Sequence, residues 1–105
     1  MATQVEIGQA GEQIVNQWLR SNGYSTNLDT RLPGSTDIEA KSTNTSLLVQ
    51  VKSSVQPSQP ASLSADEERN IKSRATKLRY EAWEARVQLD ARLQLVGQVI
   101  WRKLN

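Results

Sequence analysis

Near the start of the chain, Ile7, Gly11, Ile14, Val15, Trp18 and Leu19 recur at helical spacing and Gly23 follows as a stop signal. The pattern predicts a helix over about 6–22, with Glu12 near its beginning. Tyr24 to Leu28 reads as a short strand, and Asp29-Thr30-Arg31-Leu32-Pro33-Gly34-Ser35 as an irregular loop turned by Pro-Gly. Thr36 to Lys41 and Leu47 to Ser53 flank the polar tip Ser42-Thr43-Asn44-Thr45-Ser46 and predict a β-hairpin. In its second arm Leu47, Val49 and Val51 share one face, and Leu48, Gln50 and Lys52 share the other.

Val55 to Ser62 carries two prolines and several serines, so it reads as a loop leaving the hairpin. Ser64-Ala65-Asp66-Glu67 is a capping box, and Ile71, Ala75 and Leu78 supply the apolar stripe of a helix over about 65–79. Helix propensity alone would carry that helix through Glu81 to Arg86. Against it, Trp83, Ala85, Val87 and Leu89 alternate with Glu84, Arg86 and Gln88, which is the period of a half-buried strand. The alternation decides for a strand. Asp90-Ala91-Arg92 then reads as a turn, and Leu93 to Leu104 as a closing strand with Gly97 as a bulge. The predicted order is one helix, three strands, a helix and two strands, an α/β domain.

A length of 105 residues fits a single domain over 1–105, and 37% hydrophobic with 23% charged residues marks an ordinary globular chain. Histidine and cysteine are both absent, which excludes imidazole bases and ligands, disulfides, thiol nucleophiles and thiolate zinc sites. The chain lacks a long apolar run, and Met1 to Glu6 lacks the regions of a secretory signal, so an intracellular protein without a membrane segment is expected. A net charge of +2 permits a polyanionic partner without demanding one.

The chemistry concentrates in the hairpin. Asp37 and Glu39 lie two apart on one arm, as do Gln50 and Lys52 on the other, so the four converge on one face if the arms pair. A carboxylate, an amide and an ammonium brought together would be costly as packing and useful as a hydrolytic metal site.

Gly8-Gln9-Ala10-Gly11-Glu12 with Leu19 and Gly23-Tyr24, then Ser35-Thr36-Asp37-Ile38-Glu39-Ala40, Leu48-Val49-Gln50-Val51-Lys52 and Leu63-Ser64 resemble the PD-(D/E)XK nuclease superfamily. The resemblance is nearest to its archaeal Holliday-junction resolvase branch and to small bacterial proteins of predicted nuclease fold. It covers nearly the whole chain and is densest over 8–53. It implies a restriction-endonuclease-like αβββαββ fold, a mixed central sheet flanked by helices, and hydrolysis of DNA, including branched DNA, with Mg2+ or Mn2+. Asp37 would be the central metal-ligating carboxylate, Glu12 an accessory acid, Gln50 the occupant of the second acidic position and Lys52 the motif lysine. Two positions depart from the pattern: Thr36 stands where the family usually has proline, and Gln50 where it usually has an acid. The second removes one negative charge, which Glu39 on the same predicted face would restore. Some members of the superfamily carry glutamine there and are regarded as active.

Arg69, Lys72, Arg74, Lys77 and Arg79 form a basic run on the second helix and, with Arg31 and Lys41, would line a phosphate-binding surface or simply a solvated face. Trp18, Trp83 and Trp101 read as core or interface anchors. A chain this small cannot encircle branched DNA, so size and resemblance together imply a homodimer with two sites. A catalytically inactive DNA-binding module of the same fold, motivated by Gln50, and a regulatory or structural subunit remain alternatives.

Overall fold

The first helix opens on a capping box that apolar spacing does not reveal. Thr3 Oγ1 accepts from the Glu6 backbone N–H at 3.1 Å, and the Thr3 N–H donates to Glu6 Oε1 at 2.9 Å. Helix α1 therefore spans Gln4–Ser21, and Glu12 sits in its middle rather than near its start. Glu6 is the acid of the first turn. The computed structural model describes the backbone of residues 2–32 and 35–105, with side chains described throughout that range except at 29–32 and 35–37.

Strands β1 (Ser25–Leu32), β2 (Ser35–Lys41) and β3 (Ser46–Val55) follow, then α2 (Ala65–Leu78), β4 (Glu81–Leu89) and β5 (Ile100–Lys103). The five strands lie in chain order in one sheet, β1-β2-β3-β4-β5. All neighbours are antiparallel except β3 and β4, which run parallel because α2 carries the chain between them. This is the mixed-sheet α/β architecture that the resemblance implies.

The alternation in β3 sorts the two cores. Leu47 and Val49 join Ile38, Ala40, Ala85, Val87 and Leu89 beneath Val15 and Leu19 of α1. Leu48 joins Ala82 and Leu63 beneath Ile71 and Ala75 of α2. Each such side chain, taken wholly out of water, contributes roughly 1.5–3 kcal/mol for the larger aliphatics. The strand expected from Trp83 to Leu89 forms as β4, paired parallel with β3 and antiparallel with β5, but Glu84, expected on its polar face, is fully buried. Trp101 packs on Trp18 with ring centroids 4.8 Å apart and edge-on against Trp83 at 6.2 Å, and both Trp83 and Trp101 lie against the α1-side core.

Two expected elements differ. Residues 29–32 belong to β1 rather than to a loop, and β2 begins at Ser35, because cross-strand pairing supplies the backbone partners that local composition does not predict. A register shift between Asp29 and Leu32 marks the irregularity, and the Pro33-Gly34 turn lies outside the described residues. The closing strand is confined to Ile100–Lys103. Asp90 Oδ1 accepts from the N–H groups of Arg92 and Gln94, Leu93 adopts φ 62°, and Gly97 adopts φ 73°. Two left-handed residues break the extended run, leaving only an isolated bridge between Leu89 and Leu95.

Candidate active site

β2 and β3 are paired from Lys41 opposite Ser46 as far as Asp37 opposite Gln50, whereas β4 stays paired with β3 to Val55. Among the described residues, no β2 partner is paired with β3 beyond Gln50, and the start of α1 packs against the Val51 and Ser53 side chains there. Ser53 Oγ donates to the Ile7 carbonyl at 3.1 Å, and Gly11 lets the helix seat directly on Ser53. The result is a cleft of about 560 Å3 between the start of α1 and β3, lined by Glu12, Gln50 and Lys52 together with Ile7, Gly8 and Ser53, among others.

Three of the expected site residues therefore share one cleft, and Asp37 occupies the register position directly across from Gln50. The Asp37 side chain lies outside the described ones, as does that of Arg31. Glu39 stands two positions further along β2, opposite Leu48, is not among the residues lining the cleft and pairs with Lys41 at 3.6 Å.

Gln50 is 4% exposed, so its amide needs partners. Nε2 donates to Glu67 Oε2 at 3.2 Å, and Lys52 Nζ reaches the same oxygen at 2.7 Å. The other oxygen of Glu67 accepts from the Ser64 N–H at 3.0 Å, which completes the capping box of α2. One carboxylate thus fastens the start of a helix and holds Gln50 and Lys52 of the central strand. Burial pushes the Glu67 carboxyl up, but the Lys52 ammonium and the Ser64 N–H outweigh it and leave it below the usual carboxylate range. In the sequence Glu67 reads only as a helix cap. Its second role comes from a long-range packing of α2 on β3 that no local spacing reports.

The row of the sheet that contains Gln50 continues through Glu84 to Arg102. Glu84 is fully buried and accepts from the Leu63 N–H at 2.8 Å and from Arg102 Nε and Nη2, each at 3.2 Å. Arg102 Nη2 also donates to Glu68 at 2.9 Å. Burial raises the Glu84 carboxyl, yet the Arg102 guanidinium, the Leu63 N–H and nearby Arg86 hold it below the usual range. The network ties β4, β5 and the loop before α2 together, and so fixes the helix start that presents Glu67.

Arg69 and Lys72 share a shallow hollow of about 650 Å3 along α2 with Lys77, and Arg69 pairs with Asp66 at 3.0 Å. Lys41 is apart from them at the end of β2, 5.7 Å from the Tyr80 ring centroid. Arg74 is half-buried on the same helix. Among the described residues no three carboxylates lie close enough to hold a metal ion. No helix there is long and apolar enough to cross a membrane.

No protein-family model matches the chain, and no curated protein does. Among solved structures, Hjc, a Holliday junction resolvase from the archaeal hyperthermophile Archaeoglobus fulgidus, superposes with a TM-score of 0.70 over 92% of this chain and 72% of that one, at 24% identity. At that identity the likeness speaks to architecture: the chain has the restriction-endonuclease-like fold of that resolvase.

Proposed function

We propose that this chain is a metal-dependent endodeoxyribonuclease, resolvase-like in acting on DNA that includes branched forms. The observation that supports it best is the meeting of Glu12, Gln50 and Lys52 in one cleft at the point where β2 and β3 part, with Asp37 in register beside Gln50. The donors there are carboxylate and amide oxygens, with no nitrogen or sulfur ligand, which is the set suited to Mg2+ or Mn2+. Asp37, Gln50 through its carbonyl oxygen and Glu12 would hold the ion, with Glu39 as a further carboxylate on β2. A bound ion would supply Lewis-acid stabilisation of the phosphate and a more acidic water.

The chain's own residues account for the rest. Lys52, anchored on the central strand, places an ammonium where charge accumulates on the phosphate. The half-buried setting of the cleft strengthens that interaction relative to open water. Arg69, Lys72 and Arg74 on α2, with Arg31 and Lys41, supply phosphate contacts that orient the duplex without reading its sequence. Two such chains as a homodimer would present the paired sites that a branched substrate needs. A DNA substrate implies an intracellular location.

Cleavage assays with Mg2+ or Mn2+ on branched, linear and single-stranded DNA test the proposal, with Asp37→Ala as control. Salt-sensitive binding without cleavage in either metal would instead favour an inactive DNA-binding module, the reading that the loss of an acid at Gln50 supports. No DNA affinity at low salt would leave a structural or regulatory subunit.

A further inference from the structure

Gln50 leaves the site one negative charge short, and an amide can also turn its wrong end to a cation. The geometry points to Glu67 as the residue that solves both problems, an inference that rests on the metal-nuclease reading of the same cleft. We propose that Glu67 is a positioning residue: it fixes the Gln50 amide with its oxygen turned away from Glu67, and supplies the site with the charge that glutamine lacks.

The carboxylate of Glu67 sets the direction of this contact. Ionised, it only accepts, so the end of Gln50 that meets Glu67 Oε2 at 3.2 Å must be the NH2. The amide is planar, and its oxygen is therefore turned away from Glu67. An amide binds a hard cation only through that oxygen. Replace Glu67 by a donor and the preference reverses.

Charge follows the same contact. Because Glu67 Oε2 lies one hydrogen bond beyond the end of Gln50, its negative charge stands a few ångströms from where a carboxylate at position 50 would put its own. Lys52 draws on it at 2.7 Å, which keeps the ammonium beside the cleft instead of in solvent. Outer carboxylates that orient a ligating side chain commonly matter by roughly 10- to 100-fold in metal affinity. Glu67 is also held rigidly, since its other oxygen is committed to the Ser64 N–H and the helix start is tied to β4 and β5 through Glu84, Arg102 and Glu68.

The test uses the intact chain without DNA, titrated with Mn2+ and read by electron paramagnetic resonance, with thermal melts in parallel. Glu67→Gln preserves the capping box, because glutamine serves at that position, and removes only the charge and the fixed amide orientation. Its Mn2+ affinity should fall roughly 10- to 100-fold. Adding Gln50→Glu to that variant exchanges the two residues and should restore most of the affinity. Ser64→Ala is the control for a purely structural role: it should lower the melting temperature and leave Mn2+ affinity at the wild-type value. A folded Glu67→Gln with unchanged affinity, a loss that the exchange does not rescue, an equal loss in Ser64→Ala, or a wild type that binds no Mn2+ each overturns the inference. A wild type that binds Mn2+ in this Glu67-dependent way yet cleaves no DNA sinks the nuclease proposal while leaving the role of Glu67 intact.

Discussion

Gly11 offers the sharpest test of how α1 is seated against the central strand. A Cβ added there would stand 2.7 Å from Ser53 Cβ and 2.6 Å from Ser53 Oγ. The hydroxyl can rotate away, at the loss of its bond to the Ile7 carbonyl and roughly 1 kcal/mol. Ser53 Cβ cannot, because it hangs from a backbone paired in register with Val87 of β4. Restoring ordinary contact at 3.4 Å means displacing α1 by about 0.7 Å, the difference between 3.4 and 2.7 Å. Overpacking of this kind costs about 1–3 kcal/mol, whereas exchanging glycine for alanine in a helix returns at most ~1 kcal/mol. Gly11→Ala should therefore be destabilised by about 1–3 kcal/mol, a fall of roughly 5–20 °C for a domain of this size. Gly8 is the internal control: nothing lies within 4 Å of its added Cβ, so Gly8→Ala should gain up to ~1 kcal/mol. Thermal and urea melts of the two variants should move in opposite directions, and Ser53→Gly should relieve part of the Gly11→Ala loss in a double-mutant cycle. Gly11→Ala melting at or above the wild type would refute this packing.

Arg102→Ala should cost about 1–3 kcal/mol by urea melts, because it strips the fully buried Glu84 of its main partner; the figure sits below that of a fully buried pair since Arg102 is half exposed and Arg86 remains 3.7 Å away. Glu67 and Glu84 both titrate below their unfolded values, so the unfolded chain binds more protons on acidification. Their contribution is fully present above the unfolded value near ~4.3 and is lost as pH falls through the lower folded ones, so acid melts should show declining stability and a shallower decline in Glu84→Gln. An unchanged slope in that variant would contradict the assignment. For the proposed DNA contacts, Lys72→Ala should weaken binding uniformly across sequences and reduce the salt slope by about 1, as measured by titration at several salt concentrations.

Much of this architecture is written locally. The stripe of α1, the Ser64 to Glu67 cap and the alternation through Trp83 to Leu89 each carry their own period, and each forms the element that its period predicts. The failures share a cause. Residues 29–32 join β1 because β2 offers them partners, and 93–99 leave the strand because Leu93 and Gly97 turn left-handed around an Asp90 cap. Neither effect follows from hydrophobic spacing. The site divides in the same way. Gln50 and Lys52 were legible as neighbours on one face of a strand, and the order of elements put Glu12 within reach. Glu67 was not, because a capping box reports only the helix it starts, whereas its second oxygen answers to a strand 15 and 17 residues away in sequence. Glu84 likewise reads as the polar half of an alternating strand, and its burial depends on α2 and β5 arriving over it.

Hydrolysis of DNA in the cleft between α1 and β3 is open to one direct assay. Purified chain should cleave a panel of branched, linear and single-stranded DNA in Mg2+ or Mn2+, and Asp37→Ala and Lys52→Ala should each abolish cleavage while melting as cooperatively as the wild type. Cleavage that survives both substitutions, or a folded wild type inactive on every substrate in both metals, would contradict it.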